Sequence, residues 1–200
     1  AELYRTPKKS RILSGGDNTK KQQVLRIDTL SKSNLEDSGH KTIEKHMLDL
    51  LKDIDLVIIS DYIYRSVTPQ ILSNLIKACP AKIIIIDSRN NLTNFKNITI
   101  ATPNEPEIKR IFPGRQFFSD RDFFEAGNDL LAQLNANGIV LKRGKKGMIA
   151  FEKDKQPKLV DIYGGTEIVD ETGAGDTVIS VTSLAYSVGA DLFSSAKLAS

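Results

Sequence analysis

Apolar residues along this chain fall into short unbroken runs separated by segments with helical spacing. Leu56–Ser60, Lys82–Ile86, Ile98–Ala101 and Gly138–Leu141 are aliphatic runs of the kind needed by parallel strands buried on both faces. Between them, Thr42–Ile54 carries Ile43, Met47, Leu50, Leu51 and Ile54 at helical intervals, and Thr68–Cys79 reads as a second helix. Phe117–Ala136 is amphipathic, with Phe123, Phe124, Leu130, Leu131 and Leu134 as its buried stripe. Strand, helix and strand at this spacing predict βαβ units, hence a parallel sheet with helices on its faces. Met148–Phe151 and Lys158–Ile162 add two further strands. Near the start, Ser10–Leu13 and Gln22–Ile27 flank Gly15, Gly16 and Asn18 and alternate only partly, which predicts a half-exposed hairpin ribbon.

Composition narrows the class. Two hundred residues, 40% apolar and 26% charged, describe one soluble globular domain with room for a sizeable core. A balance of 28 basic against 25 acidic residues, with scattered basic clusters and few aromatics, argues against a nucleic-acid partner. The single Cys79 excludes an internal disulfide framework, and no aliphatic run is long enough to cross a bilayer, so no membrane partner and a cytoplasmic setting are expected. His40 and His46 read as surface histidines. The chain opens without Met and stops at Lys197–Ser200 inside a helical pattern, so both ends are expected to be cut.

The candidate chemistry centres on Val169–Thr177, V-D-E-T-G-A-G-D-T, which reads as a loop turning into a helix. Gly173 and Gly175 let the backbone approach a ligand closely. The N–H groups of Gly173, Ala174 and Gly175 would stand at the helix start without intrahelical acceptors, where the helix dipole favours an anion such as a phosphate. Asp176, just beyond, is placed to accept a proton from an attacking hydroxyl. The alternative is an ordinary Gly-rich helix start. No G-x-x-x-x-G-K-[ST] loop occurs.

Other polar groups sit where parallel sheets gather ligands, at the carboxyl ends of strands: Asp61, Asp87 and Arg89. Asn104 and Glu107, three apart behind Pro103, read either as a helix cap or as a polar pair for a cation. Lys142-Arg-Gly144-Lys-Lys-Gly147 is a basic turn between two strands, of a kind more often merely solvated, and Arg11, Arg26 and Asp28 decorate the ribbon, where a solvated face explains them equally well.

D-E-T-G-A-G-D-T resembles the D-x-x-G-A-G-D signature of the ribokinase-like (PfkB) sugar kinases, and the ribbon, Ser60-Asp-Tyr62, the N-x-x-E of Asn104 and Glu107 and the basic hairpin follow that family's order. The ribbon and S-D-Y segments are closest to the D-glycero-D-manno-heptose-7-phosphate kinases. The resemblance implies a ribokinase-like three-layer α/β/α fold with a mostly parallel sheet, a lid ribbon over about 5–30 and an α/β core over about 41–200. It implies ATP-dependent phosphorylation of a sugar or sugar-phosphate hydroxyl, with Asp176 as base and the Gly173–Gly175 backbone as anion hole. Lys142, Gly144 and Gly147 would steady the ATP phosphates, and Asn104 and Glu107 would hold the waters around Mg²⁺. Asp170 and Thr172 would help bind K⁺, and Arg26, Asp61, Asp87 and Arg89 would face the acceptor. A homodimer through the ribbon belongs to the same expectation. The family's amino-terminal Gly-Gly motif and the last helices of its adenine pocket are absent from the chain. Ile63-Tyr-Arg65 replaces the usual Lys and Gly, and Asp87-Ser-Arg89 stands for Asp-Pro-Lys, so the sugar is left open. A non-catalytic nucleotide- or sugar-phosphate-binding module, and a nucleoside or vitamin-precursor kinase on the same fold, are the alternatives.

Overall fold

A computed structural model describes residues 4–16, 21–31, 35–62, 64, 66–163 and 173–200. The ribbon forms as two antiparallel strands, β1 (Lys8–Ser14) and β2 (Gln22–Thr29), with Arg11 opposite Arg26 and a register shift after Ile12. Six further strands make the central sheet: β3 (Leu56–Asp61), β4 (Ile83–Ser88), β5 (Ile100–Ala101), β6 (Gly138–Lys142), β7 (Met148–Glu152) and β8 (Lys158–Val160), paired in that order. The pairings from β3 through β6 are parallel, and β7 and β8 turn back antiparallel.

The helices are α1 (Asp37–Leu50), α2 (Pro69–Ala78), α3 (Glu105–Ile111), α4 (Asp120–Leu134), α5 (Ala174–Ser187) and α6 (Leu192–Leu198). Their starts are set by local chemistry. Thr68 caps α2 by accepting from the Ile71 N–H, with Pro69 at the first helical position. Ser119 and Asp122 close a capping box on α4, which ends at Asn135 in the left-handed region (φ 48°). The first helix departs from expectation: it begins at Asp37 and stops at Leu50, rather than spanning Thr42–Ile54. Leu51 and Ile54 still reach the core, but from the turn that leads into β3, so the apolar spacing runs on past the helix end.

Strand alternation divides the sheet into two apolar faces. Ile84, Ile86, Ala101, Ile139 and Leu141 pack beneath α2, α3 and α4 against Leu72, Leu75, Ile108, Phe123 and Leu130. Ile85, Ile100, Val140, Met148 and Ala150 pack against Ile179, Leu192 and Ala196 of α5 and α6. This is a three-layer sandwich. Each fully buried aliphatic side chain contributes about 1.5–3 kcal/mol. The continuous isoleucines of β4 are therefore what fix that strand in the middle of the domain.

Candidate functional site

The alternation that fills both faces also sorts the polar groups at the strand ends. Asp87 on β4 and Lys142 on β6 continue the α5 side of the sheet, and the Lys142 Nζ lies 3.1 Å from the Asp87 Oδ1. Side chains at this pair are only 15% and 19% exposed. Lys142 reaches the turn that starts α5: a side chain added at Gly175 would begin 3.4 Å from its Nζ. Gly173 precedes the helix with φ 86°, a conformation that favours glycine, and its carbonyl accepts from the Thr177 N–H at 2.8 Å. The first N–H groups of α5 consequently have no intrahelical acceptor and stand close to an ammonium group.

Asp176 lies in the first turn of α5, with an exposed carboxylate. The Tyr62 hydroxyl, just past β3, donates to its Oδ1 at 3.3 Å. The Tyr62 ring has the Lys9 ammonium of β1 at 4.6 Å from its centroid and the Arg89 guanidinium at 4.8 Å, and Lys9 is also 5.6 Å from the Tyr64 ring. Ribbon, β3 end, β4 end and the start of α5 therefore meet at one tyrosine.

Asn104 and Glu107 form a full capping box on α3. The Glu107 N–H donates to Asn104 Oδ1 at 2.9 Å, and the Asn104 N–H donates to Glu107 Oε2 at 2.8 Å. The same segment is tied to β6 by the Lys142 N–H, which donates to the Pro103 carbonyl at 2.8 Å. Burial raises the proton affinity of Glu107, which is 6% exposed, above the ordinary glutamate range; the Asn104 N–H opposes this, the Asp87 charge adds to it, and Lys142 and Arg110 oppose it. A cleft of about 260 Å³ runs beside Glu107, lined among others by Ser88, Arg89, Asn90 and Arg110.

Next to Lys142, the Arg143 guanidinium is buried and bridges Glu105 (2.8 Å) on α3 and Asp120 (2.7 Å) on α4, over the Phe123 ring. In the turn that follows, Gly144 (φ 56°) faces open space. Gly147 (φ 75°) passes so close to the Val160 carbonyl oxygen of β8 that a Cβ there would overlap it. Gly147 thus has a packing reason of its own to be glycine.

Of the residues expected at a site, Gly173, Ala174, Gly175, Asp176, Asp87, Arg89 and Lys142 come together, and Asn104 and Glu107 border them. Asp61 does not join by its side chain: its carboxylate accepts from the Ser88 Oγ at 2.7 Å, on the helix face opposite α5. Arg26 stands on the ribbon paired with Asp28 at 2.8 Å. Asp170 and Thr172 lie outside the described residues. Tyr62, Lys9 and Arg143 carry contacts that the sequence did not single out; an aromatic at the carboxyl end of a parallel strand was the one available signal. Among the described residues no cluster of three or more His, Cys, Asp or Glu is assembled around a metal position, and no helix is long and apolar enough to cross a membrane.

This arrangement puts an anion-receptive helix start, with a carboxylate on its first turn, on one face of a three-layer α/β sandwich. The chain belongs to the pfkB family of carbohydrate kinases, whose model matches residues 16–200. It is 31% identical over 197 residues to the bifunctional protein HldE of Desulfatibacillum aliphaticivorans, covering 97% of this chain and 39% of that protein. To the HldE of Citrifermentans bemidjiense it is 29% identical over 198 residues, covering 98% and 39%. The chain thus spans about two fifths of the length of these relatives. Arabidopsis thaliana ribokinase complexed with ribose and ATP superposes with a TM-score of 0.65 at 19% identity, covering 88% of this chain and 56% of that one. Escherichia coli phosphofructokinase-2 in complex with potassium gives 0.68 at 18% identity, covering 85% and 57%. The ribokinase-like fold is therefore shared.

Proposed function

We propose that the protein carrying this chain transfers the γ-phosphoryl group of ATP to a hydroxyl of a sugar or sugar phosphate. The acceptor hydroxyl gives its proton to Asp176 as its oxygen bonds to phosphorus, and the bond from phosphorus to the ADP oxygen breaks. The N–H groups of Gly173, Ala174 and Gly175 stabilise the charge on the moving phosphoryl group, and Lys142 adds a positive charge beside them. Gly144 and Gly147 keep the neighbouring turn low enough for the nucleotide tail. Arg89 and Arg26 are the basic groups offered to the acceptor, with Asp87 holding Lys142; Asp61 supports the strand end from behind.

The observation that carries this reading is the exposed Asp176 carboxylate on the first turn of α5, beside Lys142, in a chain of the pfkB family. Asn104 and Glu107 offer oxygen donors of the kind that hold a hydrated Mg²⁺, and the buried Glu107 borders a cleft. Bound there, Mg²⁺ would neutralise phosphate charge. The HldE relatives and the ribbon's resemblance to heptose-phosphate kinases support a heptose phosphate as the acceptor.

A panel of sugars and sugar phosphates, read by ADP release from the full-length protein, tests this. Acceptor-dependent release that Asp176→Asn lowers by orders of magnitude is expected. Full turnover without that carboxylate, or ATP binding with no acceptor-dependent release, defeats the reading; the latter outcome leaves a binding module.

The ribbon supports a second element of the reading, a homodimer. Ile12, Leu13, Val24, Leu25 and Ile27 are each roughly half-exposed, more apolar surface than a two-stranded ribbon keeps in water. A second copy of the ribbon would cover it. Val24→Glu together with Ile12→Glu should shift sedimentation from dimer to monomer, and an unchanged monomer in the parent protein removes the idea.

A further inference from the structure

Tyr62 is the point where the ribbon touches the candidate base, and this inference rests on the assignment of Asp176 as proton acceptor. Its backbone is anchored from behind, because Asp61, the last residue of β3, binds Ser88 through its side chain and accepts from the Arg89 N–H through its carbonyl at 3.3 Å. Two cations from different elements lie over its ring, Lys9 of the ribbon at 4.6 Å and Arg89 beyond β4 at 4.8 Å from the centroid. The electron-rich face of a phenol attracts both. Its hydroxyl then falls 3.3 Å from one oxygen of the Asp176 carboxylate.

A carboxylate has two oxygens and about four acceptor directions. Tyr62 occupies one oxygen and leaves the other for an incoming hydroxyl. Asp176 is exposed, and among the described residues it is this phenol that holds the carboxylate's rotation. At 3.3 Å the bond is longer than the usual O–H···O range, so it restrains the group without consuming it.

We propose that Tyr62 is a positioning residue that couples the seating of the lid ribbon to the aim of the Asp176 carboxylate, through the Lys9–ring contact on one side and the hydroxyl–carboxylate bond on the other. With the ribbon down, Lys9 pins the ring and the free carboxylate oxygen faces the acceptor. With the ribbon lifted, the ring loses that cation and the base loses its aim.

The test uses the full-length protein and the acceptor that supports turnover. Tyr62→Phe keeps the ring and both cations and removes only the hydroxyl. It should lower kcat about tenfold, the worth of a hydrogen bond to a charged group, with KM for ATP and acceptor within twofold of the parent. Lys9→Met should raise the acceptor KM and lower kcat severalfold, and added to Tyr62→Phe it should lower kcat no further. A Tyr62→Phe kcat within twofold of the parent overturns the proposal, as does a double variant whose two kcat losses multiply. Limited trypsin cleavage within the ribbon supplies a readout without turnover. Tyr62→Ala should be cut several times faster than the parent while Tyr62→Phe is cut at the parental rate; equal rates in all three overturn the link to the ribbon. Asp176→Asn separates the two failures. If that variant is inactive and Tyr62→Phe is normal, the base stands and the coupling falls; if it retains turnover, both fall.

Discussion

The Lys142 ammonium of β6 and the Asp87 carboxylate of β4 pair at 3.1 Å across the short strand β5 that separates them. Both groups are largely withdrawn from water, so removing either leaves the other a partly buried, unbalanced charge. Asp87→Asn and Lys142→Met should each lower stability by about 1–3 kcal/mol, and the double variant should cost less than their sum by about 0.5–3 kcal/mol. A double-mutant cycle in urea checks this; additive losses mean that the pair is incidental.

Two glycines in one turn should behave differently. At Gly144 a methyl group meets nothing within 4 Å, so Gly144→Ala carries only the cost of a left-handed alanine, about 1–2 kcal/mol. At Gly147 the same change also drives a methyl into the Val160 carbonyl, so Gly147→Ala should cost several kcal/mol or dislodge β8. Denaturation midpoints, with amide exchange across Lys158–Val160, distinguish the two.

Glu107 predicts a pH dependence of stability. Its proton affinity is raised in the folded protein by burial, so the folded state holds that proton more tightly than the unfolded one. The favourable contribution is complete below the ordinary glutamate value of 4.5 and is lost as the pH climbs through the higher folded value. Glu107→Gln keeps the capping box, since glutamine serves at that position, and removes the titration. Relative to Glu107→Gln, the parent should therefore lose stability as the pH rises above about 4.5, and parallel stability curves would contradict this.

Arg143 joins three elements: its own place after β6, Glu105 on α3 and Asp120 on α4. Arg143→Met leaves the mostly buried Glu105 with only the looser Lys109 ammonium at 3.9 Å and should destabilise the protein by about 2–4 kcal/mol. Arg143→Lys keeps the charge but lacks the fork that reaches two carboxylates, and should recover only part of the loss. Thermal unfolding of both variants reads the difference; full recovery by lysine would show that charge alone matters.

The layers were legible in the sequence because the inner strands β4, β5 and β6 are buried on both faces, which unbroken aliphatic runs such as Ile83–Ile86 satisfy; the edge strand β3 differs, since Ile58 and Ser60 of its apolar run face outward. The Asn104 cap was legible because a capping box is a local event spanning three residues. The start of α1 was not, since its first turn is polar and its apolar spacing continues through Leu51 and Ile54, which serve the core from a turn. At Gly147 the close approach to Val160 was not legible, because it depends on how β8 returns to β7, which spacing cannot reveal. Tyr62 was visible only as part of a motif, because its partner Asp176 is 114 residues away and its cations come from elements on either side. Asp61 and Asp87 looked equivalent as acids at strand ends. Only the register of each strand tells which face an acid takes.

That register carries an evolutionary constraint. Asp87 and Ser88 are neighbours, and the pleat sends the acid toward Lys142 and the hydroxyl toward Asp61. Losing or gaining a single residue within Ile83–Ile86 would reverse them, delivering an alcohol to the ammonium and a second acid to the Asp61 carboxylate. Changes of length in this segment should thus be tolerated only in pairs, whereas the surface stretch between α2 and β4 is free to vary by one.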